Sequence, residues 1–343
     1  MSDIDLKRRR LLGVAAAGIA LAEFVPAGVA HAAASSTTAA AIRQFTSLKH
    51  IDAGVLNIGY VEMGPADGPV VLLLHGYPYD IHSYIDVAPT LAAAGCRVIV
   101  PHLRGHGTTT FLDQRTSRSG QQAAIGADVI ALMDALHIRR AVFAGYDWGG
   151  RAACVAAALW PERCGGLVSV NSYLIQNIAS AAMPLSARIE AGFWYQFYFT
   201  TERGRQGLAA NRNDIARILW ERNSPTWHFD NATFERSAAA FANPDYIDVV
   251  IHSYRHRLGT APGHPQYEAL ENRLAAQPVI TVPTITIDGD SDGVIAATDG
   301  KSTAAKFGPD RTHIVLPGIG HNVPQEAPKE FTAAVMKLVA NAR

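Results

Sequence analysis

Ala141-Val142-Phe143-Ala144-Gly145-Tyr146-Asp147-Trp148-Gly149-Gly150 runs from an apolar, strand-like segment into two glycines that flank an acid. Downstream, Arg151 to Trp160 is Ala-rich and helix-like. Gly145 and Gly149 stand two positions before and after Asp147. That spacing belongs to a strand turning sharply into a helix, with the central side chain thrust out above the end of a sheet. A serine in that position makes acyl esters from carbonyl substrates. A carboxylate attacking a saturated carbon makes an alkyl ester of the protein itself, which water can open at the carboxyl carbon. Serine attacking the same carbon would leave an ether that the site could not hydrolyse. Asp147 therefore points to displacement at an sp3 carbon, by epoxide opening or dehalogenation.

The surrounding chain has the composition of a well-cored globular protein. Of 343 residues, 48% are hydrophobic, and 30 Lys+Arg balance 30 Asp+Glu, enough for one large domain with an insertion. Neutral balance without a basic stripe argues against a nucleic-acid partner. No run after the N-terminal segment is long enough to span a bilayer. That segment reads differently. Lys7-Arg8-Arg9-Arg10-Leu11-Leu12 precedes a modestly apolar stretch from Gly13 to Ala22, and Ala30-His31-Ala32 offers a small-x-small cleavage site. Residues 1–32 are expected to be a twin-arginine export signal, leading to the periplasm or outside, with no stable membrane insertion after processing. Their removal would leave the chain at −1. Cys96, Cys154 and Cys164 show no metal-ligand spacing and no disulfide framework, and core thiols are expected, with a Cys154–Cys164 bridge left open.

Strand-like and helix-like segments alternate over most of the length, which predicts an α/β domain with a mainly parallel sheet. Leu48 to Asp52 and Leu56 to Glu62 read as an opening hairpin. Val70 to Leu74, Val98 to Val100 and Gly166 to Val170 read as further strands, and Gln121 to Leu136 as a helix. From Leu174 to Ala276 the rhythm becomes helical, with aromatics crowded at Phe193-Trp194-Tyr195-Gln196-Phe197-Tyr198-Phe199. Strands resume at Thr284 to Asp288 and His313 to Leu316, and a last helix follows from about Ala327 to Ala340. The expected organisation is a core over 41–173 and 277–343 with a helical cap inserted at 174–276.

An alkyl ester on Asp147 would be stable without a base to activate water. Gly318-Ile319-Gly320-His321-Asn322 supplies a histidine on a Gly-rich turn after the last strand, and an acid must orient it. Thr284 to Asp288 runs into Gly289-Asp290-Ser291-Asp292, so Asp288, Asp290 and Asp292 are candidates; Asp292 is preferred because a loop residue past the strand can reach across. The order nucleophile, acid, histidine is that of an α/β-hydrolase. His75-Gly76-Tyr77-Pro78 closes the third strand, and the N–H groups of Tyr77 and Trp148 can form an oxyanion hole.

With these motifs in place, residues 50–340 resemble the epoxide hydrolase branch of the α/β-hydrolase superfamily, which is related to the haloalkane and haloacetate dehalogenases. The resemblance implies an α/β-hydrolase fold: a mainly parallel eight-stranded sheet flanked by helices, with an inserted helical cap. It implies two cap tyrosines that donate hydrogen bonds to an epoxide oxygen. Trp194-Tyr195-Gln196-Phe197-Tyr198-Phe199 is similar to the stretch carrying one, and His252-Ser253-Tyr254-Arg255 to the stretch carrying the other. Tyr195 and Tyr254 thereby join Asp147, Asp292 and His321 as expected catalytic residues, and His75 and Trp148 join the tyrosines as expected substrate contacts. The chemistry agrees, because an opened epoxide leaves as an alkoxide that needs acidic donors, whereas a halide leaves unaided. Tyr146 stands where the branch commonly has His, and His102, in Pro101-His102-Leu103-Arg104-Gly105-His106-Gly107, stands where it usually has Asp. His102 and His106 are too weak a pair to suggest a metal and read as structural or rim residues.

The expected activity is hydrolysis of a small-molecule epoxide to a vicinal diol, with no cofactor and no metal. A dehalogenase acting on an organohalide through the same ester is the enzymatic alternative. A non-catalytic hydrolase-fold binding protein is the third, disfavoured by the intact Asp147, Asp292 and His321 set.

Overall fold

The computed structural model describes residues 45 and 47–341. The expected export signal, residues 1–32, lies outside them. In chain order the strands are β1 (Lys49–Ala53), β2 (Leu56–Met63), β3 (Val70–Leu74), β4 (Arg97–Pro101), β5 (Thr110–Phe111), β6 (Ala141–Gly145), β7 (Cys164–Val170), β8 (Thr284–Gly289) and β9 (Arg311–Leu316). Eight of them follow the order β1-β2-β4-β3-β6-β7-β8-β9, and the two-residue β5 pairs with β2 off that path. Pairing is antiparallel where β2 meets β1, β4 and β5, and parallel from β4 through β9. The sequence expectation had no counterpart of β5, whose two residues are too few to carry a periodicity.

The central strands are apolar runs because both of their faces are covered. Leu72, Leu73, Val142, Phe143, Leu167 and Val168 are all buried, and each such side chain contributes about 1.5–3 kcal/mol relative to exposure. One layer comprises α1 (Val87–Ala93) and α11 (Pro328–Asn341); the other is built on α2 (Gln122–Ala135) and α3 (Asp147–Leu159). The short α10 (Val323–Glu326) precedes α11.

Between β7 and β8 the chain forms α4 (Ala187–Gly192), α5 (Trp194–Thr200), α6 (Glu202–Asn223), α7 (Asn231–Ala238), α8 (Tyr246–Arg257) and α9 (Glu268–Ala275), with no named strand. α6 is kinked at Asn211. α8 turns Tyr246, Val250 and Tyr254 inward at a spacing of four, one stripe of an amphipathic helix. α5 packs on it, which brings the crowded aromatics together. The C-terminal end of α6 is stitched to the β3 loop, because the Trp220 indole N–H donates to the Pro78 carbonyl at 2.7 Å and the ring stacks on Tyr79. The same end accepts the Gly293 N–H at the Asn223 carbonyl, 2.9 Å. The helices above the sheet are thus tied to the loops that carry the site. No described helix is long and apolar enough to cross a membrane.

All three cysteines are buried, and Cys154 and Cys164 form no disulfide. Cys154 lies 3.3 Å from the Ser169 hydroxyl instead.

Candidate active site

Strand β6 ends at Gly145 and α3 begins at Asp147, so the chain reverses within two residues. Asp147 adopts φ +50°, a left-handed conformation that an L-residue takes only when its surroundings impose it. The surroundings are the flanking glycines. A Cβ on Gly149 would stand 2.0 Å from the Leu74 carbonyl oxygen, and one on Gly145 would stand 2.6 Å from the Gly149 backbone. Only bare backbone lets the helix start so close to the strand ends.

The carboxylate so presented is 15% exposed. Its Oδ1 accepts the Tyr77 N–H at 2.7 Å, and the Trp148 N–H points at the same carboxylate. Its Oδ2 lies 3.6 Å from His321 Nε2, a charge contact longer than a hydrogen bond. Burial would raise the Asp147 carboxyl, but His321 and the two amides outweigh it and hold it below the ordinary carboxylate value.

His321 Nδ1 donates to Asp292 Oδ2 at 2.8 Å, and both side chains are closed to solvent. The other Asp292 oxygen accepts the Val294 and Ile295 N–H groups at 2.7 and 3.1 Å. Asn171, itself at φ +64°, donates to Oδ2 at 2.9 Å. Of the three candidate acids only Asp292 reaches the histidine. Asp288 accepts from Thr298, and Asp290 accepts the Gly318 N–H at 2.6 Å. Burial works against the charge of His321, but Asp292 and Asp147 overcome it and raise the imidazole to about 10. At neutral pH the resting site therefore holds an imidazolium between two carboxylates.

The backbone of the His321 turn is fixed by residues that carry no motif. The His321 N–H donates to Ser224 Oγ at 3.0 Å, and Ser224 donates to Glu326 at 2.6 Å. Glu326 also receives the Gly320 and Asn322 N–H groups at 2.7 and 2.9 Å. Sequence reasoning missed Asn171, Ser224 and Glu326, since each acts through another residue and only the fold brings it near.

Tyr195 and Tyr254 meet each other within reach of the Asp147 charge. Their ring centroids are 5.4 Å apart, edge to face, and both rings are buried. Burial and then the Asp147 charge raise Tyr195 to about 12, and burial also raises Tyr254, with Tyr195 and Asp147 adding to it. Both phenols stay protonated and able to donate. Trp148 stacks on Tyr77 at 5.2 Å and leans on Tyr254 at 5.4 Å.

One expectation needs correction, and one open pair of alternatives closes on the structural side. His75, expected at the substrate, has both ring nitrogens engaged by backbone. Nδ1 donates to the Gly76 carbonyl at 2.9 Å and Nε2 accepts the Leu103 N–H at 3.0 Å. It braces the loop that carries Tyr77, and burial holds its pKa down at about 3. His102 and His106 are buried, so neither is a rim residue. The His106 ring packs on Tyr246 at 5.2 Å, and no group among the described residues is arranged to hold a metal ion. Tyr146, in place of the branch's usual His, is also buried and meets Ser83 through its hydroxyl at 2.6 Å.

A strand-to-helix turn presenting a carboxylate, backed by an acid–histidine pair from later loops, defines a hydrolase. The chain belongs to the α/β-hydrolase fold family, whose model matches residues 69–328. Its relatives make it, more narrowly, an epoxide-hydrolase-like member. It is 49% identical to a Klebsiella pneumoniae protein of known structure described as a candidate epoxide hydrolase, with a TM-score of 0.85 over 88% of this chain and 99% of that one. It is 24% identical to epoxide hydrolase A of Mycobacterium tuberculosis, over 84% of this chain and 96% of the relative. A haloalkane dehalogenase variant from Bradyrhizobium elkanii shares the fold at 22% identity and a TM-score of 0.69, over 86% of this chain and 97% of that one.

Proposed function

We propose that the protein hydrolyses an epoxide to a vicinal diol through an alkyl ester on Asp147. The observation that carries this reading is the division of labour between the two Asp147 oxygens. Oδ1 accepts the Tyr77 amide at 2.7 Å, while Oδ2 lies 3.6 Å from His321 Nε2. Oδ2 attacks an epoxide carbon, the C–O bond breaks, and the departing oxygen takes a proton from Tyr195 or Tyr254. The ester keeps its carbonyl oxygen, Oδ1, in the hole formed by Tyr77 and Trp148.

Alkylation also changes His321. The Asp147 charge that helped to hold its proton is gone, so the imidazolium releases that proton toward the phenolate or solvent. Neutral His321, held in one tautomer by Asp292, then takes a proton from water. The hydroxide so formed attacks the carboxyl carbon, and the negative charge develops on Oδ1, where the two amides already wait. Collapse expels the diol alkoxide, which recovers the proton from His321.

Two phenols suit an alkoxide leaving group and are wasted on a halide, which needs no proton. The test is a panel of styrene-type, terpene-type and fatty epoxides run beside haloalkanes and haloacetates, followed by a single turnover in 18O-water. The mechanism expects an unlabelled diol and label on Asp147, because water attacks the ester carbonyl. Label in the diol with none on Asp147 would mean direct attack of water on the epoxide. Halide release without diol formation would put the dehalogenase reading first.

A further inference from the structure

Arg151 and Arg257 line a hollow together with Asp147. Arg151 lies one helical turn beyond the nucleophile on α3, and Arg257 closes α8, three residues past Tyr254. This small hollow also has Tyr195 in its walls. It adjoins a wider vestibule that both arginines also line, and a third, smaller hollow beside Trp148 is lined by both again.

Three other sheltered arginines are paired with acids. Arg104 grips Asp128 at 2.6 Å, Arg97 meets Glu62 at 2.7 Å, and Arg118 meets Asp245 at 2.8 Å. Arg151 and Arg257 have no ion-pair partner among the described residues. Arg151 donates to the Leu174 carbonyl and, at 3.5 Å, to Gln122. The Arg257 side chain makes no hydrogen bond there at all, although both residues are only partly exposed. Burial and then the neighbouring Arg257 pull Arg151 down to about 10, so two like charges are held together at a cost. The carboxylates lining these spaces are Asp147 and Glu190, and Glu190 is engaged by the Leu185 N–H at 2.8 Å. The Asp147 charge offsets Arg151 only until it is alkylated. In the ester intermediate both guanidiniums would face the substrate without a counter-charge.

We propose that the substrate is an organic anion, an epoxide bearing a carboxylate that Arg151 and Arg257 clamp while Asp147 attacks. A guanidinium pairs with a carboxylate through two parallel N–H bonds, which fixes orientation as well as charge. Met183, Phe193, Phe197 and Leu258 line the vestibule and give room for an apolar skeleton between or beyond the two functions. The inference rests on the epoxide reading above and adds the substrate class to it.

The experiment compares ω-epoxyhexanoate with its primary amide, which matches it in size and removes the charge. Wild type should favour the carboxylate in kcat/KM by on the order of ten- to a hundredfold, chiefly through KM. Arg257→Gln should collapse that ratio toward unity, Arg257→Lys should keep part of it, and raised salt should narrow it. Equal handling of acid and amide by wild type, or an unchanged ratio in Arg257→Gln, would overturn the clamp. A second measurement stands apart from the chemistry: calorimetric binding of hexanoate and hexanamide to Asp147→Asn. Hexanoate binding that disappears when Arg257→Gln is added supports the clamp even if no epoxide reacts. Equal binding of acid and amide removes the clamp even if neutral epoxides are hydrolysed through Asp147.

Discussion

His321 Nδ1 lies 2.8 Å from Asp292 Oδ2, while its Nε2 stands 3.6 Å from Asp147 Oδ2. One imidazole is thus shared unequally between two carboxylates. The short contact orients the ring, and the long one leaves Asp147 Oδ2 without a hydrogen bond from it. The proposed mechanism uses that asymmetry in two separate steps.

Replacing His321 by Gln should trap the alkyl-enzyme. The first step requires only the Asp147 carboxylate, whereas the second requires a base for water. Intact-mass spectrometry after exposure to an epoxide should show an adduct that peptide mapping places on Asp147. Full turnover by this variant would remove His321 as the base.

The tyrosines should respond to single-atom changes. Comparable oxyanion donors are worth about 2.7–4 kcal/mol, so Tyr195→Phe or Tyr254→Phe should slow alkylation by on the order of a hundredfold. The double change should nearly abolish it. Pre-steady-state alkylation with one common epoxide measures this. Wild-type rates in both single variants would make the tyrosines packing residues.

The proton on His321 gives a pH signature. Its pKa is raised to about 10 in the folded protein, against 6.5 for an ordinary histidine. A raised pKa contributes stability that is complete below about 6.5 and is lost as pH rises through about 10. Denaturant midpoints should therefore fall across that window, and His321→Gln should remove this part of the fall. Asp147→Asn imitates the charge lost on alkylation and should lower the imidazole titration seen by proton NMR. An unmoved titration would mean that Asp147 does not help to hold the proton.

Gly149→Ala should cost about 3 kcal/mol, because the added methyl meets the Leu74 carbonyl at 2.0 Å and backbone on both sides must shift. Gly318→Ala is the control. Its φ is +72° but nothing lies within 4 Å of the new carbon, so only the left-handed strain of about 1–2 kcal/mol applies. Urea unfolding of the two variants gives the comparison. Similar losses would mean that the close approach of α3 to β3 relaxes easily.

We also propose export through residues 1–32, on the sequence alone. The mature protein should lack roughly these residues, and Arg8→Lys with Arg9→Lys should leave precursor in the cytoplasm. N-terminal sequencing of the exported fraction tests this, and full-length chain found there would exclude a cleavable signal.

The sequence by itself determined the sheet and the elbow, because both are written in local terms. Apolar runs such as Val70–Leu74 announce doubly covered strands, and Gly145, Asp147 and Gly149 declare a turn that only small residues allow. The acid was narrowed to three aspartates, and the structure alone separates them. Asp288, Asp290 and Asp292 are chemically alike within five residues, and direction is a property of the loop that places them. His75 shows the limit from the other side: a histidine beside the site in sequence had both nitrogens claimed by backbone that only folding supplies. Arg151 and Arg257 carried no pattern at all. Two cations 106 residues apart acquire meaning only when tertiary packing brings both into the walls of one cavity and gives neither an ion-pair partner among the described residues.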